Sequence, residues 1–102
     1  MSARPNTLDV LRLGRERIDI GWTQGVRARR APGARCDPAD SKAVAWCALG
    51  AVDSDERAVF ALLAVIEPAT SCLWWWNDVP ERTRAEVLAV FDAAILAQGA
   101  HP

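Results

Sequence analysis

Residues 37–52, DPADSKAVAWCALGAV, limit more than any other stretch what this chain can fold into. Asp37 can accept hydrogen bonds from the first free amides of a helix, Pro38 suits the first helical position, and Asp40 places negative charge where the helix dipole favours it. Val44, Cys47, Ala48 and Ala51 then fall at i, i+3, i+4 and i+7, a helix face of small residues that lets a neighbour come close. Trp46 and Leu49 widen the apolar surface on either side. The spacing predicts a helix that is apolar over much of its circumference, and such an element belongs in the middle of a small domain.

The other elements are expected around it, within one domain over 1–102 whose ends, 1–5 and 100–102, fray. Asn6 or Thr7 caps a first helix, with Leu8, Leu11 and Leu13 turned inward and Arg12, Glu16 and Asp19 outward. That helix runs to Ile18 or Ile20 and stops at a left-handed Gly21, after which Trp22 folds back on the core. Residues 23–36, TQGVRARRAPGARC, break the helical patterning. Pro32-Gly33 is a turn signal, and the segment is either a ragged two-stranded hairpin or a mobile Arg-rich loop.

Asp53 with Glu56 makes a better capping box for the next helix than Ser54 with Arg57. Val59, Leu62, Leu63 and Ile66 form its stripe, and Glu67-Pro68 closes it. The short connection predicts that this helix and the central one pack antiparallel. A second capping box, Thr83 with Glu86, opens a last helix whose stripe is Leu88, Phe91, Ala94 and Ile95 and whose stop is Gly99. The expected fold is all-α: a compact bundle of four main helices, with the Arg-rich loop or short hairpin between helices 1 and 2.

With 102 residues there is room for one core, and much of the 51% apolar fraction is Ala, so five Trp must supply a large share of the contact area. A homodimer is a reasonable way to bury what the monomer leaves exposed. No apolar run approaches the ~18 residues of a membrane span, and the N-terminal residues have no apolar signal core, so a cytoplasmic location is expected. Cys36, Cys47 and Cys72 do not resemble a disulfide framework and are expected as reduced thiols. The net charge of −1 hides two poles: residues 12–35 sum to +5 and the remainder to −6. Such a molecule can meet an acidic partner, associate head to tail, or carry the charge for solubility alone.

Gly21-Trp22, then residues 45–51 (AWCALGA), then Trp76-Asn77-Asp78, then Thr83 ahead of an apolar helix together form an ordered pattern. In this order they resemble a family of small bacterial and phage domains of unknown function, from about residue 7 to residue 97. The resemblance implies no established activity that could be laid on these residues. Members of such families carry acidic residues and a glycine turn where this chain has Arg29, Arg30 and Arg35, so a basic patch there is this chain's own.

Three constellations are candidate sites. Cys47 lacks a general base, since the sole histidine is His101 in the tail, and it reads as a small core residue; no catalytic residue is assigned. The cysteines are not spaced as zinc knuckles, so no metal and no cofactor is expected. Trp74, Trp75 and Trp76 precede Asn77 and Asp78, which either hold a turn by side-chain-to-backbone bonds or stand at the rim of a Trp-lined cleft for a flat ligand. If the stretch is extended, Trp74 and Trp76 share the inward side and Trp75 points out. Trp22 with Arg27, Arg29, Arg30 and Arg35 is a solvated or partner-facing surface, or a place for phosphates and a stacked base. The overall negative charge and the lack of a nucleic-acid motif weigh against the latter.

Protein contact or self-association without catalysis is therefore the first functional expectation, with an acidic protein as the other contact partner. A nucleic-acid accessory role through the Arg-rich loop and a small-ligand binder or enzyme around the Trp-Asn-Asp loop are the alternatives.

Overall fold

A computed structural model describes residues 5–101, and its chain is mixed α/β, not all-α. In order it forms α1 (Thr7–Ile20), β1 (Ala28–Arg30), β2 (Ala34–Arg35), β3 (Ala43–Trp46), α2 (Ala48–Ala51), α3 (Glu56–Val65), α4 (Leu73–Asn77) and α5 (Arg84–Ala97). The strands make one antiparallel sheet in the order β2-β1-β3.

The largest correction falls on residues 37–52. Asp37 and Asp40 do bond to nearby amides, but as two successive turns: Asp37 Oδ1 accepts from Ala39 N and Asp40 Oδ1 from Lys42 N, each at 2.8 Å. The chain then extends into β3, and only Ala48–Ala51 coil, as α2. Strand pairing buries Trp46, whose indole N–H also donates to Pro38 O at 3.0 Å. The partner strand β1 comes from the Arg-rich segment, so residues 23–36 take the hairpin alternative. On the other edge of β3, residues 21–23 run parallel to it, with Trp46 N donating to Gly21 O and Thr23 N to Trp46 O.

Two glycines permit this layering. Gly21 ends α1 in extended backbone (φ −170°), not left-handed; its role is close approach, since a Cβ there would lie 2.1 Å from Val44 O. At Gly50 a Cβ would lie 2.0 Å from Arg27 O, so only glycine lets α2 sit on the approach to β1.

The helices follow local signals more closely. Asn6 caps α1 by accepting from Asp9 N at 2.8 Å, and Leu11 and Ile18 are buried while Leu13 is exposed. The cap of α3 is Asp55, which accepts from Ala58 N, and not Asp53; Asp53 and Ser54 instead turn the chain with positive φ. The capping box of Thr83 and Glu86 forms as the spacing predicts, with Val87, Phe91, Ala94 and Ile95 buried below it. The middle of the domain is α1, packed against α5, α2, α3 and β3. The expected antiparallel pairing of α3 with a long second helix is replaced by packing of α3 on α5 and α1. Arg15 on α1 and Asp92 on α5 pair across the α1–α5 contact.

Candidate functional site

The run LWWWN coils as the short helix α4, which alters the expected placement of its indoles. Helical spacing puts Leu73, Trp76 and Asn77 inward and leaves Trp74 and Trp75 outward, 55% and 59% exposed against 7% for Trp76. Trp74 therefore shares the outer face with Trp75 and not the inner one with Trp76.

Asn77 is fully buried and fixes the helix. Its Oδ1 accepts from Trp22 Nε1 at 2.8 Å and Ala48 N at 2.9 Å, and its Nδ2 donates to Thr23 O at 3.1 Å and Asp78 Oδ1 at 3.0 Å. Two donors and two acceptors fill the capacity of the amide group. Gln24 adds a second clamp, donating from Nε2 to Asn77 O at 3.0 Å and Val79 O at 2.8 Å, and Gly25 N donates to Asp78 Oδ1 at 3.0 Å. Trp22 is thus tied into this knot by its N–H, half-buried beside β3. On the other side of α4, the Arg82 guanidinium lies 4.1 Å from the centre of the Trp76 ring, donates to Trp76 O, and pairs with Glu86 at 3.0 Å.

The Arg-rich segment divides in two. Arg29 is consumed by the fold, donating to Thr23 Oγ1 at 2.7 Å, Gly33 O at 2.9 Å and Gln24 O at 3.1 Å. Arg27, Arg30 and Arg35 are exposed and make no ion pair among the described residues. Arg30 and Lys42 line a shallow hollow of about 350 Å³ at the hairpin tip.

A cavity of about 190 Å³ joins the two constellations that were separate in the sequence. Trp74, Leu49 and Val26 line it together with Arg27, Asp78 and Cys47. Cys47 caps α2 instead of sitting in mid-helix, its Sγ accepting from Gly50 N at 3.3 Å. Burial pushes its thiol above the usual range, against the lowering effect of that amide, so the group at neutral pH is a thiol and a poor nucleophile. A larger hollow of about 670 Å³ lies elsewhere, between the start of α1 and the α2–α3 turn, with Val10, Leu13 and Val52 below Asp53 and Glu56.

Gln24 and Arg17 were not among the sequence-derived candidates. Arg17 lies 5.5 Å from the Trp46 ring centre and donates to Asp53 Oδ1 at 2.9 Å and Ala51 O at 3.3 Å, satisfying the end of α2. Nothing in the local pattern marks either residue, because their side-chain partners are remote, at residues 46–53 for Arg17 and 77–79 for Gln24. Among the described residues no group of three or more His, Cys, Asp or Glu side chains is placed to hold a metal ion, and Cys36, Cys47 and Cys72 are free. No helix among them is long and apolar enough to cross a membrane.

These features define a small α/β domain: among the described residues a three-stranded sheet and five helices, with α4 tied to α2 and to residues 22–23 by one buried amide and an aromatic face left outside. The chain belongs to a family of unknown function, DUF6197, which matches residues 2–97. No curated protein and no solved structure matches it.

Proposed function

We propose that this chain is a non-enzymatic contact domain that associates with a second copy of itself through the outward face of α4, with Trp75 as the anchor. The observation that carries the reading is the exposure of Trp74 and Trp75 side by side on a helix whose opposite face is held by four bonds to Asn77. An indole presented on fixed backbone loses little conformational freedom on binding, and buried aromatics are the usual centres of protein contacts. A stable interface buries about 1,200–2,000 Å², so the indoles form its centre and neighbouring polar surface its rim. Sedimentation velocity of the full chain should show a dimer building up through the micromolar range. Trp75→Ser should return it to monomer with an unchanged helical spectrum. A parent that sediments as monomer at high micromolar concentration overturns the reading.

The exposed guanidinium groups of Arg27, Arg30 and Arg35, none in an ion pair among the described residues, favour a second reading as a nucleic-acid accessory. Phosphate contacts by these side chains would make affinity for an oligonucleotide fall steeply with salt, and replacing all three by Ser would flatten the slope. Absence of binding to single- or double-stranded oligonucleotides at low salt removes it.

A further inference from the structure

The cavity beside Trp74 is small, about 190 Å³ against the roughly 300–1,000 Å³ of pockets that enclose drug-sized ligands. Trp74 gives it an aromatic wall and Val26 and Leu49 an aliphatic one. Two opposite charges share this apolar lining. Arg27 makes no side-chain hydrogen bond or ion pair among the described residues. Asp78 uses only Oδ1, which accepts from Gly25 N and Asn77 Nδ2, each at 3.0 Å, and its Oδ2 is without a partner among the described residues. The two side chains form no ion pair with each other. Both nevertheless act on the Cys47 thiol that lines the same cavity, Asp78 raising its titration and Arg27 lowering it.

We propose that this cavity binds a free α-amino acid with an apolar side chain, its carboxylate on Arg27, its ammonium on Asp78 Oδ2, and its side chain against Trp74, Leu49 and Val26. A ligand of one charge meets a like charge at this rim. An anion is opposed by Asp78 and a cation by Arg27, whereas a zwitterion answers both. A peptide terminus offers only one of the two charges. The small volume limits the occupant to about one residue, and the indole and aliphatic walls favour an apolar side chain. The cavity shares Trp74 with the proposed dimer face, but Trp75 does not line it, so titration of the Trp75→Ser variant reads ligand binding apart from self-association and each can fail without the other.

Isothermal titration of L-leucine and L-phenylalanine into the full chain tests the proposal. Saturable binding is expected in the micromolar to millimolar range. N-acetyl-leucine, which lacks the ammonium, and leucinamide, which lacks the carboxylate, should each bind roughly tenfold or more weakly, as expected for loss of a charge-assisted bond. Arg27→Gln touches an exposed side chain with no bond in the fold, so its circular dichroism should match the parent. In that variant leucine should bind no better than leucinamide. Val26→Trp, which fills the cavity and leaves both charges in place, should abolish binding. No saturable heat with either amino acid at millimolar concentration overturns the proposal. So does equal affinity for leucine and its two derivatives, or binding that Arg27→Gln leaves unchanged.

Discussion

Both faces of α4 carry Trp, and the indoles have opposite fates. Inward, Trp76 is covered by Arg82 and Asn77 has every hydrogen-bonding position filled. Outward, Trp74 and Trp75 are more than half exposed. A five-residue helix cannot hold itself together in water, since nucleation alone is unfavourable. Its inner face must fix it to the domain, and the outer face is then presented at no further cost in order. The inner residues that look most like a site are thus structural, and the surface available for recognition is the one that contributes least to stability.

The comparison breaks most sharply at Asn77. Asn77→Leu strands Ala48 N in a buried place and Trp22 Nε1 and Thr23 O in part-buried ones, and each group left unsatisfied away from water costs about 1–3 kcal/mol. A loss of about 3–5 kcal/mol is expected, read from the urea midpoint, and enough to unfold a domain of marginal stability. Gly50→Ala should come next, at about 1–3 kcal/mol, because its Cβ meets Arg27 backbone and not a side chain that can swing away. A variant as stable as the parent at either position would mean that α2 and α4 are not locked to the β1 approach in this way.

On the outer face the same experiment should read almost nothing. Trp74→Ser and Trp75→Ser are expected within about 0.5 kcal/mol of the parent, as for surface positions free of special contacts. Their emission should already be red-shifted in the native monomer, below the concentrations at which it associates. A cost comparable to that at Asn77 would place these indoles in the core and remove the distinction between the faces.

What the sequence disclosed and what it withheld separate along a line of distance. Thr83 and Glu86 form their box because both partners lie within three residues, and Asn6 caps α1 for the same reason. Asp37-Pro38 and Asp40 carry an equally good local signature, yet the chain there turns twice and enters a strand. The deciding interactions are remote: β1 pairs with β3, and residues 21–23 take its other edge. The alternation of Val26, Arg27 and Ala28 allowed a short hairpin strand but not its pairing with residues 43–46, and Gly21 and Gly50 look like helix punctuation when their function is backbone approach. In three consecutive Trp, period 2 and period 3.6 cannot be told apart. Trp75 was legible as outward under either; Trp74 was not. Asn77 and Asp78 were legible as polar residues that matter, and their partners at residues 22–25 and 48 were not.

The smallest expected effect concerns how the inner face is kept covered. Glu86 pairs with Arg82, whose guanidinium lies over Trp76, and it also completes the cap of α5. Its carboxyl titrates below the ordinary value of 4.5, chiefly because the Thr83 backbone amide bonds to the charged form, with the Thr83 hydroxyl and Arg82 adding to it. A lowered folded-state value means the unfolded chain takes up the proton first. The stabilisation from Glu86 is therefore complete above about 4.5 and is lost as the pH falls through the lower folded value. Since Glu86 is exposed, the change should be slight and screened by salt. Glu86→Gln should trail the parent at neutral pH and converge with it in that acid window, as Gln cannot lose a charge there. In the parent, Trp76 emission should shift over the same window as Arg82 is released, while that of Trp74 and Trp75 stays constant. A constant gap between parent and variant across the window would show that Glu86 acts on α5 by its shape alone and that Arg82 covers Trp76 without its help.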